Sequence, residues 1–255
     1  TDGKIIYCIE RSKAPIGSGT TEKYTLQKEL SSKVAYVMEN GYPNKSIFGN
    51  ADKDYYTTGL AIWYVINPND STFEYFNLAN GTYRGNSSDI VVEMAKLVNG
   101  ANSYSYTSPS IKINNSNSNL SLSSDGKYYV SSSMGVKTAG TVGNYTVSLN
   151  NAPEGTIVTD TKGNAKTTFA TNESFLVKVP VSNVKKISNE FKVNVSAKGT
   201  INKAYAYTST RSNVQNTGAL YPENSNVNDS TTVKLNVVTV VEISKVDVTT
   251  GEELA

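Results

Sequence analysis

From about residue 104 onward the apolar residues recur at every second position. Tyr145, Val147 and Leu149, then Phe175, Val177 and Val179, then Phe191, Val193 and Val195, then Tyr205 and Tyr207, and finally Val233, Leu235 and Val237 alternate with polar neighbours. That period gathers each run's apolar side chains on one face of an extended strand, which a helix cannot do. Asp125-Gly126, Pro153-Glu154-Gly155 and Lys162-Gly163-Asn164 supply turn chemistry between the runs. Half-buried strands joined by such turns predict an Ig-like antiparallel β-sandwich over residues 104–241. The polar stretch 114–124 reads as a surface loop leading into a strand.

The first 103 residues follow a different rule. Ser31 or Ser32 can cap a helix over 31–40 that carries Val34, Val37 and Met38 on one face, with Gly41 ending it before Pro43. Ser88 and Asp89 open a second helix over 88–99, with Ile90, Met94, Leu97 and Val98 at helical spacing and Asn99-Gly100 as its stop. Between them Tyr55 to Ile66 is apolar on most sides, and periodicity leaves a buried helix and a buried strand both open. The fold expected is mainly β with minor α, a mixed α+β domain over 1–103 followed by the sandwich.

Missing residue types narrow the chemistry. The 255 residues include no His and one Cys, so histidine acid/base catalysis, a histidine metal site and a disulfide are all excluded. A cysteine protease or transpeptidase needs a base for its thiol, and no His is present to serve. Asp52, Asp54, Asp70 and Glu74 are spaced too irregularly for a calcium loop, and no metal or cofactor is expected. The net charge of +2, with lysines scattered along the chain, predicts neither a nucleic-acid nor a membrane partner. No apolar run approaches the roughly 18 residues of a membrane span, so a mature, soluble chain is expected. Abundant Asn, Ser, Thr and Tyr without cysteine pairs suits the extracellular surface of a Gram-positive cell.

The lone cysteine lies in Tyr7-Cys8-Ile9-Glu10, followed by Pro15, by Gly41-Tyr42-Pro43, and by Thr58-Gly59-Leu60-Ala61-Ile62-Trp63-Tyr64. These motifs, in this order, resemble the thioester domains of Gram-positive surface adhesins. The resemblance implies that Cys8 is a reactive centre joined through sulfur to a glutamine of a Thr-Gln-x-Ala-x-Trp motif, with Tyr7, Thr58, Ala61, Trp63, Gly41, Tyr42 and Pro43 as its supporting residues. It also implies a binding module that acts once, not an enzyme that turns over. Its partners would be a host extracellular-matrix or plasma protein and neighbouring pilin or stalk domains.

One position departs from the pattern. The glutamine is expected at residue 59, where this chain has Gly59, so the thioester is expected to be absent. The remaining glutamines, Gln27 and Gln215, lie in no matching motif. A non-covalent matrix-binding adhesin, or a structural pilin module with an inert cysteine, are the alternatives. Residues 242–255 resemble the opening strand of a Cna B-type domain, in which Lys245 matches the lysine of an isopeptide bond.

Overall fold

In a computed structural model the described residues are 4–17, 21–116, 119–186, 190–235 and 249–250. Lys245 and most of the tail from residue 242 lie outside them. Contacts divide the chain into two compact units, neither continuous in sequence. The first comprises residues 1–110, 139–142 and 198–226, and the second 111–138, 143–197 and 227–255.

The first unit opens with the short strand β1 (Tyr7–Cys8) and with β2 (Tyr24–Glu29). Three helices follow, α1 (Ser32–Asn40), α2 (Ala51–Ile66) and α3 (Asp89–Asn102). Between α2 and α3 a small antiparallel sheet forms from β3 (Phe76–Asn77), β4 (Thr82–Tyr83) and β5 (Asn86–Ser87). The ambiguous apolar run 55–66 is thus helix. Its start is set by Asn50, whose side chain accepts from the Lys53 amide, and by Asp52 and Asp54 in the first turn, where carboxylates complement the helix dipole. Gly41 ends α1 as expected, its N–H reaching the Val37 carbonyl at 2.8 Å. Gly100 does not end α3, which runs on to Asn102. Val34, Val37 and Met38 of α1, Leu60, Ala61 and Ile62 of α2 and Met94 and Val98 of α3 form one buried cluster with Tyr7. No helix among the described residues is long and apolar enough to cross a membrane.

The rest of the chain is strand and turn. In order come β6 (Ser110–Asn114), β7 (Leu120–Leu122), β8 (Tyr128–Ser131), β9 (Gly135–Ala139), β10 (Thr141–Asn150), β11 (Ile157–Asp160), β12 (Thr168–Phe169) and β13 (Phe175–Pro180). Two long strands close the series, β14 (Glu190–Ser209) and β15 (Thr217–Lys234). Sheet order is β1-β15-β14-β10-β12 with β2 on β14, and separately β11-β13-β8-β7. The described pairings of both sheets are antiparallel.

The second unit's core is the alternating set the period announced: Tyr145, Val147, Phe175, Val177, Val179, Val193, Val195 and Val233 are buried. Tyr145, Phe169 and Phe175 pack with ring centroids 5.6 to 6.2 Å apart, and the Tyr145 hydroxyl donates to the Glu173 carbonyl at 2.8 Å. Farther along β14, inside the first unit, the face differs from a simple reading of aromatics. Ala204 and Ala206 turn inward, and the larger Tyr205 and Tyr207 are only half-buried.

Candidate thioester site

The site belongs to the first unit and is built on one face of α2. Tyr55, Gly59 and Trp63, each four residues from the next, lie on the same side of the helix. Tyr55 donates its hydroxyl to the Ile6 carbonyl at 3.0 Å, and the Trp63 indole N–H donates to the Cys8 carbonyl at 2.6 Å. The helix thus grips β1 on either side of Tyr7, whose ring stacks on Tyr55 with centroids 4.7 Å apart. Gly59 lies between the two clasps, and a Cβ there would meet nothing closer than Tyr7 Cδ1 at 3.7 Å.

The other supporting residues hold α2 and the loop before it. Thr58 Oγ1 donates to the Asp54 carbonyl at 2.8 Å and accepts the Tyr42 N–H at 3.0 Å. Gly41 must be glycine for packing, because a Cβ would strike Thr58 Cγ2 and Oγ1 at 2.5 Å. Tyr42 offers its carbonyl to the Tyr7 hydroxyl, the Tyr42-Pro43 peptide is cis, and Ala61 is fully buried. Burial pushes the Tyr7 phenol far above its ordinary range, a shift only partly offset by hydrogen bonding with Thr58. The Asp54 carboxylate is taken up by protein donors. Burial alone would raise its carboxyl, but the Phe48 and Ile47 amides and the Ser46 hydroxyl, at 2.7, 3.0 and 2.8 Å, hold it below the ordinary carboxylate value. Among the described residues no group of His, Cys, Asp or Glu forms a metal cluster.

On its other side β1 pairs with β15, Tyr7 opposite Gly218 and Cys8 opposite Thr217. The Ile9 amide continues the ladder to the Asn216 carbonyl at 3.0 Å. Residues facing one another across an antiparallel pair project to the same side, and so does the diagonal neighbour two positions away. For Cys8 that neighbour is Gln215. Its backbone is held at both ends, the N–H donating to the Ala14 carbonyl at 3.0 Å and the carbonyl accepting from the Tyr24 hydroxyl at 3.1 Å. The residue is 7% exposed, yet its Oε1 has no hydrogen-bond partner among the described residues. Leaving a buried amide oxygen unpaired costs about 1–3 kcal/mol.

Cys8, Gln215 and Gly59 line one cavity of about 420 Å3, with Tyr55, Leu60 and Trp63 among its apolar walls. Cys8 is half-buried and in no disulfide, and burial raises the pKa of its thiol. Glu10 sits nearby, its Oε2 accepting the Asn216 N–H at 3.3 Å and paired with Lys13 at 3.0 Å. Gln27, the chain's other glutamine, is exposed on β2 and is no part of the cavity. The structure therefore brings together Cys8, residue 59 and the supporting motif, and adds Gln215, which no local motif marks.

Comparison with known proteins points to the same part of the chain. The family model of the thioester domain matches residues 5–103. Those residues match a thioester domain. The solved Bacillus anthracis TIE protein is similar at 24% identity with a TM-score of 0.71, over 92% of this chain and 43% of that one. A solved thioester domain of the Enterococcus faecium TIE86 protein is similar at 20% identity with a TM-score of 0.57, over 92% of this chain and 83% of its own. These likenesses are of fold. No curated protein matches the sequence. Gln215 lies well beyond the matched stretch of the thioester domain, but within the same compact unit.

Proposed function

We propose that the chain is an adhesin module that attaches covalently to amines on a host surface protein, and that its reactive bond joins Cys8 to Gln215. The observation that carries this reading is the buried Gln215 carboxamide, with an unpartnered oxygen, in the cavity of the only thiol. The Cys8 sulfur adds to Cδ of Gln215, the S–Cδ bond forms, the Cδ–N bond breaks, and ammonia leaves. A target amine then attacks the same carbon, the Cys8 thiol departs, and a stable amide remains. Thiolate is a better leaving group than an amide nitrogen, so the stored acyl group is reactive towards amines. Holding the sulfur on β1 and the carboxamide just before β15, the strand that pairs with it, supplies the proximity that bond formation needs, and the apolar walls slow hydrolysis. One attachment consumes the bond, so the module does not turn over. Gly59 is no obstacle to this bond, because the acyl carbon comes from β15's end of the cavity.

Intact mass tests the reading. The purified chain should weigh about 17 Da less than its sequence, and methylamine should add about 31 Da while exposing one thiol. Cys8→Ala and Gln215→Ala should each restore the sequence mass and abolish the adduct. A parent chain of full sequence mass with a titratable thiol refutes the Cys8–Gln215 bond, and the non-covalent adhesin becomes the better account.

A further inference from the structure

Glycine is disfavoured inside a helix, so a helical glycine calls for a reason. Gly59 in α2 and Gly100 in α3 are the two such positions among the described residues. Gly100 has one, since a Cβ would run into the Tyr36 ring, at 2.5 Å from Cε1 and Cζ. Gly59 has none in packing: the nearest atom to its Cβ is 3.7 Å away, an ordinary contact. A side chain there would stand between the Tyr55 and Trp63 clasps and fill part of the 420 Å3 cavity that Cys8 and Gln215 share.

We propose that Gly59 is the specificity-determining residue of the reactive cavity, its missing side chain leaving room for a primary amine borne on a bulky, apolar carrier. This inference rests on the Cys8–Gln215 reading. The walls suit such a carrier, for Tyr55, Tyr56, Leu60, Trp63 and Pro15 line the space. Arg11 and Lys13 line it too, so the attacking amine enters more readily as the neutral base than as a third cation. A lysine beside an aromatic or branched residue in the target protein is the class of substrate that fits. Selectivity here is a matter of volume, with the polar machinery at Cys8 left alone.

The test measures rates of adduct formation by intact mass for methylamine and for benzylamine, on the parent, Gly59→Ala and Gly59→Leu chains. Filling the space should lower the benzylamine-to-methylamine rate ratio, by a few-fold for Ala and by about ten-fold or more for Leu. A ratio that stays within two-fold of the parent in both variants overturns the proposal, including the case where both rates fall together. Should Gly59→Leu fail to fold, the Ala variant alone decides by the same criterion. A parent chain that forms no methylamine adduct sinks the underlying thioester reading as well, whereas a reactive parent with an unchanged ratio sinks only the role of Gly59.

Discussion

Gly41 and Gly59 approach α2 from opposite circumstances, and replacing each by alanine should move stability in opposite directions. At Gly59 the added methyl has room, with Tyr7 Cδ1 at 3.7 Å, and the backbone is helical. The gain is then the helix-propensity difference, about 1 kcal/mol. At Gly41 the methyl meets Thr58 Cγ2 and Oγ1 at 2.5 Å and the Val37 carbonyl at 2.9 Å. Thr58 cannot rotate away without breaking its bonds to the Asp54 carbonyl and the Tyr42 amide, so the overpacking cost is about 1–3 kcal/mol. The two variants should differ by about 2–4 kcal/mol, each kcal/mol being worth about 2–4 °C in melting temperature for a chain of this size. Trp63, the one tryptophan, reports from the same helix, so urea unfolding followed by its fluorescence reads the right region. Both glycines are best tested in a Cys8→Ala background, where no crosslink contributes. Destabilisation by Gly59→Ala of 1 kcal/mol or more would show that residue 59 does press on Tyr7. It would remove the basis for an open cavity.

Two further outcomes concern titration. Asp54 is held below its unfolded value of about 3.9, so it contributes stability above that pH and loses the contribution as pH falls through the folded value. Melting temperatures should therefore drop below about pH 4, and Asp54→Asn should flatten that acid limb; an identical limb in the variant refutes the assignment. Once Gln215→Ala frees Cys8, its thiol should alkylate slowly near neutrality, with a rate profile displaced to higher pH than that of an unfolded chain, since burial raises its pKa. Equal profiles for the folded and urea-unfolded variant would contradict that.

Much of the fold was readable from period. The alternation of Tyr145, Phe175 and Val193 with polar residues gave a core that is buried in the second unit, and the caps at Ser88 and Gly41 are where helices begin or end. Gly100 misled as a stop because its glycine answers to Tyr36, a residue of another helix that no local pattern reveals. The tyrosines of β14 misled as core, since Ala204 and Ala206 hold the buried positions there. At the site, Cys8, Trp63 and Gly41 carried enough local motif to be found together. Gln215 did not, because its place beside Cys8 is a product of strand pairing between distant parts of the chain. Residue 59 held attention through its motif, yet the glutamine that lines the cavity comes from elsewhere.

The pairing of β1 with β15 has a consequence in time. Glu10 and Asn216, which hydrogen-bond across this seam, stand 206 residues apart in sequence. Closing so long a loop is entropically costly and comes only with the rest of the unit to support it, so contacts of this range belong to the slow steps of folding. Until then Cys8 is an ordinary thiol and Gln215 an ordinary amide. If the bond proposed between them forms, a chain still unfolded carries no electrophile and cannot be spent on stray amines, and the reactive group is armed by the completion of folding itself.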